Sequence, residues 1–264
     1  MELIAAGKTD TGIVRLSNED NFIIDEKLGL LIVADGMGGH AAGEIASKIA
    51  VSVIHDHLLS GKKVLGAYNE SYSETTNNLN AALHLANLAV LEAAEGSAQL
   101  HGMGTTIAAV LICGNRLSIA HIGDSRVYLV RSGNIEQLTD DHSMINEQLK
   151  RDLITREEAV NSIKKNYLTK ALGISAEMEA DLSELTLLSG DILLLCTDGL
   201  SNMITDEIML ETILFAQKPA AICDLLINAA NEKGGKDNIT AVIGWVKKKK
   251  WYSALLNYWA SFQR

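Results

Sequence analysis

The chain has 264 residues, with 23 lysines and arginines against 33 aspartates and glutamates, for a formal net charge of −10. That length holds one large domain or two small ones, and 47% apolar against 21% charged residues excludes a disordered chain. The acidic balance argues against general nucleic-acid binding, because the phosphate backbone rewards clustered Lys and Arg.

From the N-terminus, Met1 to Lys8 lacks the charged-then-apolar order of a signal peptide, and no apolar run is long enough to span a bilayer. A cytoplasmic location is therefore expected. Phe22-Ile23-Ile24 and Leu30-Leu31-Ile32-Val33-Ala34 read as strands separated by a polar turn. The second is continuously apolar, which predicts cover on both faces. Ile45, Ile49 and Val53, four apart, predict an amphipathic helix from Ala41 to about Leu59, and a second helix is expected from Glu74 to Glu95. The period then changes. Short β-rich runs over 105–112, 116–122, 126–130 and 135–138, punctuated by Gly-Asn and Ser-Gly-Asn, predict an antiparallel meander.

A polar helical stretch is expected from Ser143 to Glu158, strands over 182–188 and 191–196, helices over 206–215 and 219–231, and a last strand over 239–246. Cys113 and Cys196 lie in apolar runs, where a thiol is expected to pack as a small hydrophobe, and with Cys223 they form no CxxC pair. A reducing compartment fits. The whole reads as one α+β domain over 1–246, in which antiparallel strands supply the core and helices cover it.

The chemistry lies in the placement of acids. Asp35 and Asp198 each end a buried-looking strand and precede a glycine, while Asp20, Asp124 and Asp237 sit in polar turns beside β segments. Carboxylates converging from rigid strand ends repel unless cations neutralise them, and hard oxygen ligands without Cys favour Mg²⁺ or Mn²⁺. Gly36, lacking a side chain, lets its carbonyl approach a metal closely. Arg15, four residues before the pair Glu19-Asp20, is suited to hold a phosphate bidentately. Together these groups point to phosphate-ester hydrolysis, although any single Asp-Gly is more often only a turn.

Several stretches match a known pattern in order: 11–20 (TGIVRLSNED), 33–40 (VADGMGGH) with Gly43-Glu44, 102–106 (GMGTT), and 122–126 (IGDSR). Then come 138–143 (LTDDHS), 168–173 (LTKALG), 196–200 (CTDGL) and 237–240 (DNIT). In these the chain resembles the metal-dependent protein phosphatases, the PPM or type 2C family, in its bacterial form. The resemblance implies a four-layer αββα sandwich, two antiparallel sheets flanked by helices, with a flap near the active site. It implies two Mn²⁺ or Mg²⁺ ions, with Asp35 bridging both, the Gly36 carbonyl on one, and Asp198 and Asp237 completing the other. Glu19 and Asp20 match acids that hold metal-bound waters, and Arg15 matches the phosphate-binding arginine. A third, weaker ion would be held by Asp124 together with Asp198.

The implied reaction is direct attack of a metal-bridging hydroxide on phosphoserine or phosphothreonine, with Arg15 and the metals stabilising the equatorial oxygens. Its implied partners are phosphoprotein substrates and an opposing bacterial Ser/Thr kinase, with the enzyme a monomer. Eukaryotic members often carry His after the Asp-Gly pair as general acid. Met37 stands there instead, leaving His40 or water on the third metal as candidates. The flap, about 140–166, lacks the usual His-Pro, so substrate specificity does not transfer. Two rival readings are a non-catalytic phosphoprotein-binding regulator on the same scaffold, and a metal-dependent nuclease or phosphodiesterase.

Residues 247–264 carry Lys247 to Lys250 and Arg264 without an acid, leaving a body of −15. As a helix this tail places Trp251, Leu255, Tyr258, Trp259 and Phe262 on one side. That arrangement predicts peripheral attachment to an anionic membrane at its inner face or to a protein partner, against packing on its own domain.

Overall fold

The computed structural model describes residues 1–38, 41–62, 68–155, 158 and 167–248. Strands β1 (Glu2–Asp10), β2 (Asn21–Asp25), β3 (Leu30–Ala34) and the short β4 (Gly36–Met37) precede helices α1 (Ala41–Ser60) and α2 (Glu74–Glu95). A second β segment follows, with β5 (Gly104–Thr105), β6 (Ile107–Cys113), β7 (Arg116–Ile122), β8 (Arg126–Arg131) and β9 (Asn134–Gln137). Helix α3 (Met144–Lys150), strands β10 (Asp181–Thr186) and β11 (Ile192–Cys196), helices α4 (Asp198–Ser201), α5 (Asp206–Phe215) and α6 (Pro219–Glu232), and strand β12 (Ile239–Lys247) complete it.

The strands form two five-stranded sheets, ordered β1-β12-β11-β8-β9 and β10-β7-β6-β3-β2, and a β4-β5 ribbon, with every pairing antiparallel. Alternation decides what each strand face meets. On β3, Leu31 and Val33 pack between the sheets with Val110, Ile119, Val127, Leu193 and Val242. Leu30, Ile32 and Ala34 turn outward against Ala46, Ala50 and Ile54 of α1 and Leu79, Leu83 and Val90 of α2. That is why the segment reads as unbroken apolar sequence. Across the other sheet, Leu194 and Ile243 meet Met209 and Ile213 of α5 and Ile222 and Leu226 of α6. Four layers result, α-β-β-α.

Local signals account for the element ends. Ser73 caps α2 by accepting the Thr76 N–H, and Pro219 sits in the first turn of α6. The β8–β9 hairpin turns through Ser132 and Gly133, both at positive φ, as a type I′ turn requires.

Three local expectations need correction, and one strand is new. The four short runs over 105–138 do not make one meander: β6 and β7 pair in one sheet and β8 and β9 in the other, because the chain crosses between the sheets at the turn of Gly123 and Asp124. The helix begun at Ser143 ends at Lys150, not Glu158, because Asp152 adopts φ 54° and breaks the right-handed path, a conformation Asp tolerates. Cys113 is exposed rather than packed, since it is the last residue of β6, at the turn out of the sheet. Strand β1 is the new element, one that no sequence pattern announces. It is an edge strand paired only with β12, and its residues are half-buried without clean alternation.

Candidate functional site

The acids meet at one end of the sandwich. Asp35 follows β3, Asp124 lies in the β7–β8 turn, Asp198 opens α4 after β11, separated from it by Thr197, and Asp237 stands before β12, separated from it by Asn238. With Arg15, Glu19 and Gly36 they line one cleft of about 470 Å³. The fold thus gathers residues more than two hundred positions apart, because the strands that carry them, β3 and β7 in one sheet and β8, β11 and β12 in the other, stack face to face and finish at the same end of the sandwich. Asp20 is the exception among the expected site residues. It lies buried behind the cleft lining, where its Oδ2 accepts hydrogen bonds from Thr240 Oγ1 at 2.6 Å and Thr197 Oγ1 at 2.8 Å.

A scaffold of uncharged groups holds these acids. Thr106 Oγ1 receives the Asp35 N–H at 3.0 Å, the Thr106 N–H returns to the Asp35 carbonyl at 2.9 Å, and Thr106 Oγ1 also pairs with Ser125 Oγ at 2.6 Å, next to Asp124. Buried Asn238 ties the 11–19 segment to the start of β12. Its Oδ1 accepts the Glu19 N–H at 2.8 Å, and its Nδ2 donates to the carbonyls of Thr11 at 3.0 Å and Ser17 at 2.8 Å.

Two glycines permit close backbone approach. A Cβ on Gly43 would overlap the Glu19 carboxylate and the Gly36 backbone, and one on Gly199 would overlap the Asn238 carbonyl. Arg15, about half exposed, donates from Nη2 to Asp237 Oδ2 at 2.6 Å, which aims the guanidinium over the acids. Beside Asp124, Arg126 grips Asp141 with Nε at 2.9 Å and Nη2 at 2.6 Å, anchoring the start of the expected flap. The sequence motifs contain Thr106, Ser125, Arg126 and Asn238, but their polar bonds are not readable from spacing.

Electrostatics give the cluster its chemical character. Burial raises Asp198 to about 6, with the Asp237 charge adding to it. Burial raises Asp20 to about 7, opposed by the Thr240 and Thr197 hydroxyls, and raises Asp124 to about 8, with Asp198 and Asp141 adding. Asp35 is driven well above the carboxylate range, first by burial and then by Asp20, Asp198, Asp124 and Asp237. Oδ1 of Asp20 and Oδ1 of Asp198 are buried without a hydrogen-bond partner. Clustered oxygen donors, two of them orphaned, fit hard divalent cations, whose charge removes the repulsion.

Other candidates sort differently. Met37 lines the cleft and has no proton to give, while His40 lies outside the described residues. Cys196 is fully buried and pushed up to about 12 by that burial, so it stays a thiol and is no nucleophile. His121 stacks on His142 with ring centroids 4.6 Å apart. These two and Asp181 bring potential ligand atoms within 4.8 Å of one another. Proton accounting opposes a metal there. His142 Nδ1 accepts the Gly123 N–H at 3.1 Å, so the ring proton is on Nε2, which faces Asp181 Oδ1 at 3.2 Å. The pair braces the β7–β8 turn that carries Asp124.

An αββα sandwich with an oxygen-rich cleft at one end defines a fold class suited to holding hard divalent cations, and known proteins narrow it. The sequence profile of protein phosphatase 2C matches residues 14–240. The serine/threonine phosphatase Stp of Listeria innocua is 38% identical over 239 residues, which span 89% of this chain and 93% of that protein. The crystal structure of the Mycobacterium tuberculosis serine/threonine phosphatase PstP/Ppp aligns with a TM-score of 0.84 at 36% identity, over 94% of this chain and 100% of that one. The PstP catalytic domain in complex with two manganese ions aligns with a TM-score of 0.81 at 37% identity, over 94% and 99% of the two chains. The chain belongs to the protein phosphatase 2C family, and its αββα sandwich is the fold of these relatives. Among the described residues no helix is long and apolar enough to cross a membrane.

Proposed function

We propose that this protein is a metal-dependent protein serine/threonine phosphatase that hydrolyses phosphoserine and phosphothreonine in other proteins. The observation that carries this reading is the convergence of Glu19, Asp35, Asp124, Asp198 and Asp237 with Arg15 in a single cleft. Asp35, the Gly36 carbonyl, Asp198 and Asp237 would hold two Mn²⁺ or Mg²⁺ ions. Glu19 would hold their waters, and Asp20, whose Oδ2 is taken by Thr197 and Thr240, would reach one through its unpartnered Oδ1; Asp124 with Asp198 would hold a third, weaker ion. When bound, such ions supply Lewis-acid activation of water and neutralise phosphate charge.

The chain's own groups do the rest. Arg15 binds the phosphate oxygens, its direction set by Asp237. Thr106 fixes the Asp35 backbone, so the central acid does not drift as the substrate's charge arrives. With Cys196 sealed in the core, the cleft offers no thiolate, which favours direct hydrolysis over a phosphocysteine route.

Residues 1–246 form the catalytic unit in this reading, and 247–264 an appendage. Its residues from 249 on lie outside the described ones, as do residues 156–157 and 159–166 of the expected flap. Phosphoproteins are the substrates, and a Ser/Thr kinase is the activity opposed. We place the protein in the cytoplasm as a monomer, held peripherally at the membrane or at a protein by its basic, aromatic tail. Manganese-dependent phosphate release from phosphoserine and phosphothreonine peptides, with phosphotyrosine peptide, DNA and chelator as controls, tests the assignment. Asp35→Asn and Asp198→Asn should abolish turnover and leave the fold intact. Wild-type turnover by either variant, or equal cleavage of DNA, refutes it.

A further inference from the structure

Ile13, Val14 and Leu16 are 66%, 63% and 103% exposed, three apolar side chains within four residues and grouped around Arg15. Scattered exposed apolar residues are ordinary, but a contiguous set marks an interaction site. This stretch is held in place. The N–H groups of Ile13 and Val14 both donate to the Gly235 carbonyl, at 2.8 and 3.2 Å, and Asn238 Nδ2 holds the carbonyls on either side at Thr11 and Ser17. The Gly12 N–H is taken by Asp10 Oδ1 at 2.9 Å. A fixed backbone therefore presents these side chains, and little ordering entropy remains to oppose a partner.

Position names the partner. Val14 and Leu16 flank the residue that reaches the phosphate, each about 3.8 Å from it along the Cα trace. Tyr167 and Ile174, 60% and 55% exposed, line the same cleft. The C-terminal tail departs from the other end of the sheet: Lys247 pairs with Glu2, whereas the Arg15 segment follows Asp10, which pairs with Ile239. Those two strand ends are about 26 Å apart.

We infer that Ile13, Val14 and Leu16 form a docking ridge for apolar side chains of the substrate polypeptide within a few residues of its phosphorylated residue. The inference rests on reading the cleft as a phosphatase site. A small aryl phosphate reaches only the acids, their ions and Arg15, while a polypeptide also reaches the ridge, so the ridge acts on substrate choice and leaves the chemistry alone.

The test measures kcat/KM with manganese on p-nitrophenyl phosphate and on two phosphothreonine peptides, one flanked by Leu and Val and the other by Gly and Ser. The wild-type chain should prefer the apolar peptide roughly 10-fold, the order expected for covering one aliphatic side chain. Leu16→Ser and the double variant Ile13→Ser/Leu16→Ser should lose that preference, with p-nitrophenyl phosphate and the Gly/Ser peptide unchanged. Equal loss on p-nitrophenyl phosphate would overturn the ridge in favour of an effect on Arg15 placement. Concentration-dependent dimerisation of the wild type that Leu16→Ser abolishes would overturn it in favour of a second copy as occupant. A wild type active on all three substrates without flank preference overturns the ridge alone, whereas one inactive on all three overturns the phosphatase reading and the ridge with it.

Discussion

Removing the Asn238 side chain tests how the site is assembled. Its amide makes three bonds to the segment bearing Arg15 and Glu19, and the residue is 4% exposed. In Asn238→Ala the buried Glu19 N–H loses its acceptor, at a cost of about 2 kcal/mol, while the carbonyls of Thr11 and Ser17 regain water and cost about 0.5 kcal/mol each. The total, about 3 kcal/mol, corresponds to a fall in Tm of roughly 6–12 °C for a domain of this size. Asn238→Asp should be no better. It keeps the acceptor for Glu19, but turns oxygen toward two carbonyls and adds charge beside Asp237.

Activity should fall further than stability alone explains, because the freed segment carries the phosphate-binding guanidinium. Misplacing a positioning group by about 1 Å costs up to about 100-fold in rate. Thermal melting by circular dichroism, paired with manganese-dependent hydrolysis of p-nitrophenyl phosphate at 15 °C, separates the two effects. A Tm within 2 °C of wild type, together with undiminished kcat/KM, would falsify the view that this amide clamps the site together.

Three further outcomes follow from the same physics. Arg126→Met strands the carboxylate of Asp141 in a mostly buried position and should cost about 3 kcal/mol in urea unfolding, with Arg126→Lys recovering only part, since an ammonium cannot repeat the two-pronged grip. For the metal-free chain, Asp198, Asp20 and Asp124 titrate at about 6, 7 and 8 when folded, above the ordinary value of 3.8. The folded state therefore binds more protons than the unfolded one, so Tm in chelator should decline from pH 5.5 to 8.5, and excess Mn²⁺ should reverse the decline. A Tm in chelator that rises across that range contradicts the buried-acid account. Glu184→Gln weakens the acceptor for Ser73 and Thr76 at the start of α2, bonded at 2.5–2.7 Å, and should cost about 1 kcal/mol at pH 7 by thermal melting.

Periodicity and turn chemistry alone determined most of the elements here. The doubly apolar run at 30–34 announces a strand between a helix layer and a second sheet, and Ser132-Gly133 announces a tight hairpin. Edge strand β1 escaped because an edge, covered on fewer sides, imposes no strict alternation. Likewise the acids and Arg15 were legible as residue types at strand ends, since charge beside a buried run is a local pattern.

Which of those acids share a cleft is a different kind of fact. Asp20 reads in sequence like the others, yet its side chain turns behind the cleft to Thr197 and Thr240. His121 and His142, twenty-one residues apart with no spacing rule between them, stack across a turn. Asn238 clamps a loop more than two hundred residues away. Such bonds depend on which strands lie side by side, and pairing order is set by the packing of all four layers at once. Local residue patterns determine where a strand begins and what chemistry it carries; only the assembled sheets decide which chemistries meet.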